Sequence, residues 1–236
     1  MVISFPGTDT AILRINEDLC VGKILSRPNR FLVMVQIDES ILCAHLHDPG
    51  RLEELIFPGN SVQLRKINGK KTNYSILSAK SENGYILLDT RFHSKLARLF
   101  IKGETKEEVT YLNSRFDFEC DQEIIEIKGG TLVKDQTLIF PDAVTSRGTK
   151  HLTELLELHR HGRNTSVIIL CLDPNATRFS PNYDTDPKFA KAFVNALEGG
   201  VNFYFPKLGL EGNSILFHGL INDIVLKWPY KRGTLF

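Results

Sequence analysis

The feature of this sequence that most restricts its fold is a change of pattern near residue 90. From residue 12 to about 90, short strand-like runs are separated by turn signals, whereas beyond Thr90 helical and strand-like patterns alternate. Because strands repeat every two residues and helices every 3.6, the two halves cannot form one uniform layer. We therefore predict two domains, residues 1–88 and 89–236, without a flexible linker between them.

The N-terminal half is predicted to form a small β-barrel. Turn signals occur at Pro58-Gly59, Asn68-Gly69 and Asn83-Gly84. Asp48-Pro49, followed by acidic residues, predicts one short helix. About five strands with one helical connection are typical of a barrel of the OB type. The predicted strands cover residues 31–37, 41–46, 61–67, 74–79 and 85–89.

The C-terminal half is predicted to be an α/β layer with mixed strands, since helical and strand-like segments alternate along it. The fold class is thus mixed, α+β. Asp186-Pro187 marks the start of the last helix and Gly199-Gly200 its end. The predicted helices cover residues 92–101, 150–161 and 187–198, and the predicted strands cover residues 116–120, 123–132, 165–172 and 201–206.

Charge and hydropathy restrict the functional classes. The 236 residues include 29 Lys or Arg and 28 Asp or Glu, a net charge of +1, so any contact with DNA must come from a local basic patch. No apolar run approaches the roughly 20 residues that a spanning helix needs. We expect a cytoplasmic protein with no membrane contact. The four cysteines form no C-x-x-C pair, which argues against a zinc knuckle.

The stretch S-R-F-D-F-E-C-D-Q-E-I-I-E-I-K, residues 114–128, carries the most chemistry. Glu126 and Lys128 are two residues apart in a strand pattern, so they share one face. In an antiparallel hairpin with an even-length loop, Asp117 lies opposite Glu126, with side chains about 5 Å apart.

Two carboxylates at that distance repel each other, and a divalent ion between them would relieve the repulsion. Oxygen ligands favour Mg²⁺ or Mn²⁺. Lys128 would then orient a water molecule or stabilise charge on a phosphate. The alternative is a solvated strand face on which acids and lysines form ordinary cross-strand ion pairs.

Several motifs together resemble the sugar fermentation stimulation protein A (SfsA) family, and F-P-D-A-x-T-x-R-G is specific to it. The resemblance covers residues from about 15 to 205. The matching motifs are A-H-L-H-D-P-G-R-L (44–52), P-G (58–59), D-T-R (89–91), S-R-F-D-F (114–118), E-I-K-G-G-T-L (126–132), F-P-D-A-V-T-S-R-G (140–148) and H-L-T-E-L (151–155).

The resemblance implies an N-terminal OB-like domain and a C-terminal domain of the PD-(D/E)xK nuclease type. It makes Asp117 and Glu126 the metal-binding acids and Lys128 the catalytic lysine. Asp142 and Glu154 are further acids within reach of such a site.

Other residues are candidates for supporting the site or contacting DNA. His151 lies near the proposed site. Thr145, Arg147 and Lys150 precede or begin a predicted helix, and helix N-termini bind phosphate through free N–H groups. The basic residues of the N-terminal half, with Phe31 for stacking, suit a nucleic-acid surface, or alternatively serve solubility. These basic residues include Arg27, Arg30, Arg51, Lys70 and Lys71.

Three functions are consistent with these features. The first is a DNA-binding nuclease that uses Mg²⁺ or Mn²⁺. Many nucleases of this class pair to cut two strands, so both a monomer and a homodimer are consistent with it. The second is a non-catalytic DNA-binding transcriptional regulator of sugar metabolism that retains a nuclease scaffold. The third is an interaction module without nucleic acid.

Overall fold

Short strands dominate the N-terminal half of the structure, a computed structural model that describes residues 2–69 and 72–226. Lys70 and Lys71, predicted to add to the basic surface, lie outside the described residues. The strands of this half are β1 (Thr10–Arg14), β2 (Leu19–Asn29), β3 (Leu32–Ile37), β4 (Ser40–His45), β5 (Ser61–Lys66), β6 (Tyr74–Ser81) and β7 (Gly84–Leu87).

Strands β2 to β6 close into a five-stranded barrel, which confirms the OB-type prediction. The antiparallel order is β4-β3-β2-β5-β6, and a parallel pairing of β4 with β6 closes it at Ala44 and Tyr74. Alternate residues such as Val33, Val35 and Leu64 are fully buried inside the barrel. The period-two pattern of the sequence therefore reports which side chains face the barrel interior.

The prediction of a short helix after Asp48-Pro49 is wrong. The segment forms turns, and Leu52 has a φ of +51°, a left-handed conformation that a helix cannot contain. The Asp48 carboxylate accepts a hydrogen bond from the amide of Gly50 at 2.8 Å. Asp side chains stabilise such local turns as readily as helix starts, so the sequence signal fits both.

The C-terminal half alternates helices and strands as predicted. Its elements are α1 (Phe92–Arg98), β8 (Thr105–Tyr111), β9 (Ser114–Cys120), β10 (Glu123–Gly130), β11 (Val133–Lys134), β12 (Thr137–Phe140), α2 (Ser146–Arg160), β13 (Asn164–Cys171), β14 (Arg178–Pro181), α3 (Pro187–Glu198), β15 (Asn202–Tyr204), β16 (Pro206–Glu211), β17 (Ser214–Leu220) and β18 (Asp223–Ile224).

A mixed sheet forms the centre of this half. Strands β8, β9 and β10 are antiparallel, and β10 runs parallel to β13, which also pairs with β15 and β16. One face of the sheet packs Ile125 and Ile127 against α1 and the barrel core, while the other packs Ile124 against α2 and α3. Strand β10 is therefore covered on both faces.

Several predicted boundaries are wrong. Helix α2 begins at Ser146, four residues before the predicted start, because the Thr145 hydroxyl accepts the amide of Gly148 and caps it. Leu99, within the predicted first helix, follows the end of α1 and is 48% exposed. The barrel includes β2, which was not predicted, in place of the predicted strand at residues 85–89. Also unpredicted are β1, β8, β11, β12, β14, β16, β17 and β18, and β17 pairs with β1 of the N-terminal half. None of the described helices is long and apolar enough to cross a membrane.

A buried ion-pair network joins the barrel to α1. The Asp89 carboxylate, fully buried, accepts hydrogen bonds from Arg65 on β5 at 2.7 Å and from Arg91 at 2.7 Å. Burial alone would raise the pKa of Asp89, but its bonds to Arg91 and the charge of Arg65 lower it overall. Arg65 also binds Glu17 at 2.8 Å. The D-T-R motif thus has a structural role at this junction.

We predict that Asp89→Ala lowers the free energy of unfolding by about 3–5 kcal/mol, because it leaves buried guanidinium charge unpaired. Glu17→Ala removes the other, half-exposed partner of Arg65 and should cost less than about 1 kcal/mol. Urea denaturation of both variants measures these changes. Equal losses would contradict the assignment of Asp89 as the buried anchor.

His93 on α1 packs against the backbone of β10. A Cβ at Gly129 would overlap the His93 ring, so glycine is required there. The ring nitrogen Nε2 is shielded from solvent without a hydrogen-bond partner among the described residues, and burial lowers the pKa of His93 from 6.5 to about 4. The close approach of the helix to Gly129 is therefore maintained with a neutral ring.

The pH dependence of stability should report this neutral ring. Unfolded chains protonate His93 near pH 6.5 and the folded protein near pH 4, so the unfolded state binds more protons between these values. Stability should fall as the pH drops through this window, and His93→Gln should reduce the slope by up to about 1.4 kcal/mol per pH unit. Unfolding curves measured from pH 4 to 7.5 test this. An unchanged slope in the variant would contradict a buried neutral imidazole.

Candidate active site

The β9–β10 hairpin has the register predicted from the sequence. Cys120 pairs with Glu123, Glu119 with Ile124, and Phe118 with Ile125. The next facing pair in this register is Asp117 and Glu126. There the Asp117 carboxylate replaces the backbone ladder, because its Oδ2 accepts the amide of Ile127 at 2.6 Å.

Glu126 is the buried centre of the site, with 2% of its surface exposed. Oε1 of Glu126 accepts a hydrogen bond from the ammonium of Lys128, which lies on the same strand face. The same oxygen lies 2.5 Å from Nδ1 of His151. Its Oε2 is buried and has no hydrogen-bond partner among the described residues. One carboxylate oxygen is thus held in place, while the other is left for a ligand.

The two acids differ in their protonation. Burial raises the pKa of Asp117 to about 6, and the neighbouring charge of Glu126 adds to the effect. Burial alone would also raise the pKa of Glu126, but the hydrogen bond from His151 and the charge of Lys128 outweigh it and lower the pKa. Glu126 is therefore the acid that stays ionised, and a cation beside the pair would favour ionised Asp117 too.

The donor set fits a weakly held Mg²⁺ or Mn²⁺ rather than a closed structural metal site. In residues 2–69 and 72–226, Glu126 Oε2 has no hydrogen-bond partner, and one oxygen of Asp117 accepts the amide of Ile127. Within the described residues, no group of three or more His, Cys, Asp or Glu is arranged to hold a metal. Mg²⁺ commonly uses one or two carboxylates and completes its shell with waters and substrate phosphates.

His151 connects helix α2 to Glu126. It is 3% exposed, and its ring lies against Phe116 with centroids 5.3 Å apart. Its Nε2 lies 3.3 Å from Nε of Arg147. Because the arginine Nε–H is a donor, the neutral tautomer that satisfies both contacts accepts at Nε2 and donates from Nδ1 to Glu126. The structure thus brings His151 into direct contact with the predicted acid.

The other two predicted acids lie elsewhere in the structure. Asp142 accepts the amide of Arg51 at 3.0 Å, and its carboxylate approaches Gly50 so closely that a Cβ there would overlap it. Glu154 lies 3.8 Å from the Lys150 ammonium. Neither acid makes a hydrogen bond or ion pair with Asp117 or Glu126 in the part of the chain that the structure describes. Asp142 therefore connects the barrel loop to the C-terminal half.

The predicted basic residues of the barrel meet at that same loop. Arg27 donates to the carbonyls of Gly50 at 2.7 Å and Arg30 at 3.1 Å, and also to that of Arg51. The side chains of Arg30 and Arg51 remain exposed, with Arg30 lying 4.7 Å from the centroid of the Phe31 ring. Arg27 therefore holds the loop in place through these backbone carbonyls, a role that the sequence does not indicate.

The remaining predicted phosphate-binding residues lie at the start of α2. Thr145 caps the helix, and Arg147 and Lys150 are exposed on its first turns. Arg147 and Lys150 border a cavity of about 550 Å³ whose lining also includes Ser114 and Arg115. Sequence reasoning missed the latter two, although period-two alternation in β9 places Ser114 on the buried face with Phe116.

Comparisons with known proteins agree over most of the chain. Residues 25–88 match the model of the SfsA N-terminal OB domain, and residues 87–214 match the sugar fermentation stimulation protein RE domain. The sugar fermentation stimulation protein homolog of Saccharolobus solfataricus is 43% identical over 89% of this chain and 87% of its own. The homolog of Sulfolobus acidocaldarius is 45% identical over 86% of this chain and 88% of its own.

One solved structure gives the same result in three dimensions. The structure of Pyrococcus furiosus SfsA in complex with Ca²⁺ superimposes with a TM-score of 0.85 at 28% identity, covering 92% of this chain and 100% of that one. The sequence motifs, the barrel followed by a mixed sheet, and these matches agree. This chain belongs to the SfsA family of sugar fermentation stimulation proteins.

Proposed function

We propose that this protein is a divalent-metal-dependent nuclease that hydrolyses phosphodiester bonds in DNA. The observation that carries the proposal is the buried Oε2 of Glu126, which lies next to Asp117 and has no hydrogen-bond partner in the described part of the chain. Leaving a buried carboxylate oxygen unsatisfied costs free energy, so such an atom is expected where a ligand binds. The residue pattern of Asp117, Glu126 and Lys128 resembles the PD-(D/E)xK nuclease motif, which supports the proposal.

Asp117 and Glu126 would hold Mg²⁺ or Mn²⁺. A bound ion of this kind polarises a phosphoryl oxygen and lowers the pKa of a bound water. The relative from Pyrococcus furiosus was solved with Ca²⁺, which also prefers oxygen ligands. Support for this chain comes from its own two carboxylates, which act on each other: the negative charge of Glu126 helps to raise the pKa of Asp117.

The protein groups of the site have separate roles in this proposal. Lys128, whose ammonium binds Oε1 of Glu126 and whose side chain is 20% exposed, would stabilise charge on the scissile phosphate. His151 is a positioning residue, because its hydrogen bond fixes Oε1 of Glu126 and so orients Oε2. The His151 ring is held by its packing against Phe116, and the Lys128 ammonium by its ion pair with Glu126.

DNA would be bound by two local basic surfaces, because the net charge of +1 provides no general attraction. One surface is the barrel loop with Arg30 and Arg51. The other is the start of α2 with Thr145, Arg147 and Lys150. Phosphate contacts of this kind fix the position of a strand without reading its sequence.

A non-catalytic DNA-binding regulator is the second candidate. The family description, sugar fermentation stimulation, favours it. So does the ion pair between Lys128 and Glu126, which leaves less charge free for chemistry. This candidate shares the DNA surfaces of the first, so cleavage assays separate the two.

We expect the protein to cut at least one member of a panel of labelled single-stranded, duplex and branched DNAs when Mn²⁺ or Mg²⁺ is added. Lys128→Ala should reduce the rate by about 100-fold or more, since it removes charge stabilisation next to the phosphate. Lys106→Ala, which removes an exposed lysine on β8, is the matched control and should cut normally. If Lys128→Ala cuts DNA as fast as Lys106→Ala, the proposed role of Lys128 is contradicted.

DNA binding without metal should depend on salt through a small number of cations. Each of Arg30→Ala and Arg51→Ala should lower the slope of log affinity against log salt concentration by about 1. Lys102→Ala, which removes an exposed cation outside the two surfaces, should leave it unchanged. The measurement is fluorescence anisotropy at several salt concentrations. Affinity that barely changes with salt in the wild-type protein would exclude both DNA-binding candidates.

A further inference from the structure

The cavity at the start of α2 has the properties of a phosphate-binding site. It lies between the β8–β9 turn and the first turns of the helix, and Ser114, Arg115, Arg147, Lys150 and His151 are among its lining residues. Three of these are cations from two different elements. The first turn of α2 contains no acidic residue of its own, so the positive end of the helix dipole adds to their field. The buried Asp186 carboxylate accepts the amide of the N-cap Thr145 at 2.7 Å and offsets part of this field.

Ser114 provides a second, independent indication of a ligand. It is 5% exposed, and its Oγ is buried without a hydrogen-bond partner among the described residues. A buried hydroxyl in a strand normally finds an acceptor, because leaving it unpaired costs free energy. An anionic oxygen in the cavity would accept this hydrogen bond.

The cations keep much of their donor capacity for a ligand. Arg147 has no carboxylate partner among the described residues and spends its Nε–H on His151, which leaves both Nη groups. Arg115 lies 3.3 Å from the exposed Glu108. Lys150 lies 3.8 Å from Glu154 and donates to the carbonyl of Asn113 at 2.5 Å. Glu108 and Glu154 therefore offset part of the charge of the three cations, and Asp186 is a third acid, at the helix N-terminus.

We propose that this cavity binds a phosphate monoester, and, resting on the proposed function, that its ligand is the terminal phosphate of a DNA strand. A monoester carries about −1.5 to −2 charges and three terminal oxygens. An internal phosphodiester has one charge and two free oxygens, so it would use fewer of the donors gathered here. A bidentate arginine contact would favour the terminal group further.

The position of the cavity connects end binding to the candidate active site. One imidazole ring, that of His151, separates the guanidinium of Arg147 from the carboxylate of Glu126. A strand held by its end phosphate can therefore also reach Glu126. The arrangement assigns this protein to cleavage near strand ends rather than in the middle of long DNA.

The test compares three labelled oligonucleotides of one sequence, with a 5′-phosphate, a 3′-phosphate or hydroxyls at both ends. Binding is measured by fluorescence anisotropy with the full chain in EDTA, so that it does not depend on cleavage. One phosphorylated form should bind about tenfold or more tightly than the hydroxyl form, the size expected for hydrogen bonds to a charged group. Arg147→Ala and Ser114→Ala should each reduce this preference.

The matched control is Arg160→Ala, which removes an exposed arginine from the other end of the same helix and should keep the full preference. Equal binding of all three oligonucleotides would overturn the inference while leaving the nuclease proposal intact. A preference that survives in Arg147→Ala would overturn the assignment to this cavity.

Inorganic phosphate distinguishes the two sources of the ligand. Inorganic phosphate should compete with the phosphorylated oligonucleotide for the wild-type protein. It should also raise the melting temperature of the wild-type protein but not that of the Arg147→Ala protein. Stabilisation by inorganic phosphate in a protein that binds none of the oligonucleotides would assign the cavity to a free phosphate, and would overturn both the strand-end assignment and the proposed function.

Discussion

The burial of the Glu126 carboxylate is the constraint on which the rest of the site depends. A buried charge is tolerated only when it is paired and hydrogen-bonded. His151 and Lys128 supply those partners at one oxygen, and the second oxygen lacks a partner within the described chain. Helix α2 must therefore pack against the sheet in the one position that brings His151 to Glu126. The same helix presents two of the three cavity cations, Arg147 and Lys150, so folding and ligand binding depend on one arrangement.

Polar contacts at the barrel loop connect the two halves of the molecule. Asp142 from the C-terminal half meets the backbone of Gly50 and Arg51 in the barrel loop, which Arg27 holds in place. Three residues further along the chain, Thr145 caps α2. A short loop therefore leads from the barrel surface to the helix that positions His151, and both proposed DNA-binding surfaces lie along it.

Local patterns in the sequence predicted the barrel, the mixed sheet and the facing of Asp117 and Glu126, because strand alternation and hairpin register are local properties. They did not predict that His151 binds Glu126 or that Asp142 meets the barrel loop. Those contacts depend on how separate elements pack. The turn at Asp48 was mistaken for a helix start because an Asp side chain satisfies nearby amides in both settings.

The proposed nuclease function depends most directly on the binding of a divalent ion between Asp117 and Glu126. Anomalous diffraction from crystals soaked in Mn²⁺ measures this, with an Asp117→Asn crystal as control. We predict a peak in contact with Oε2 of Glu126 and with Asp117 that is lost in the variant. A peak only at other carboxylates, such as Asp48 and Asp142, or an unchanged peak in the variant, would contradict the account.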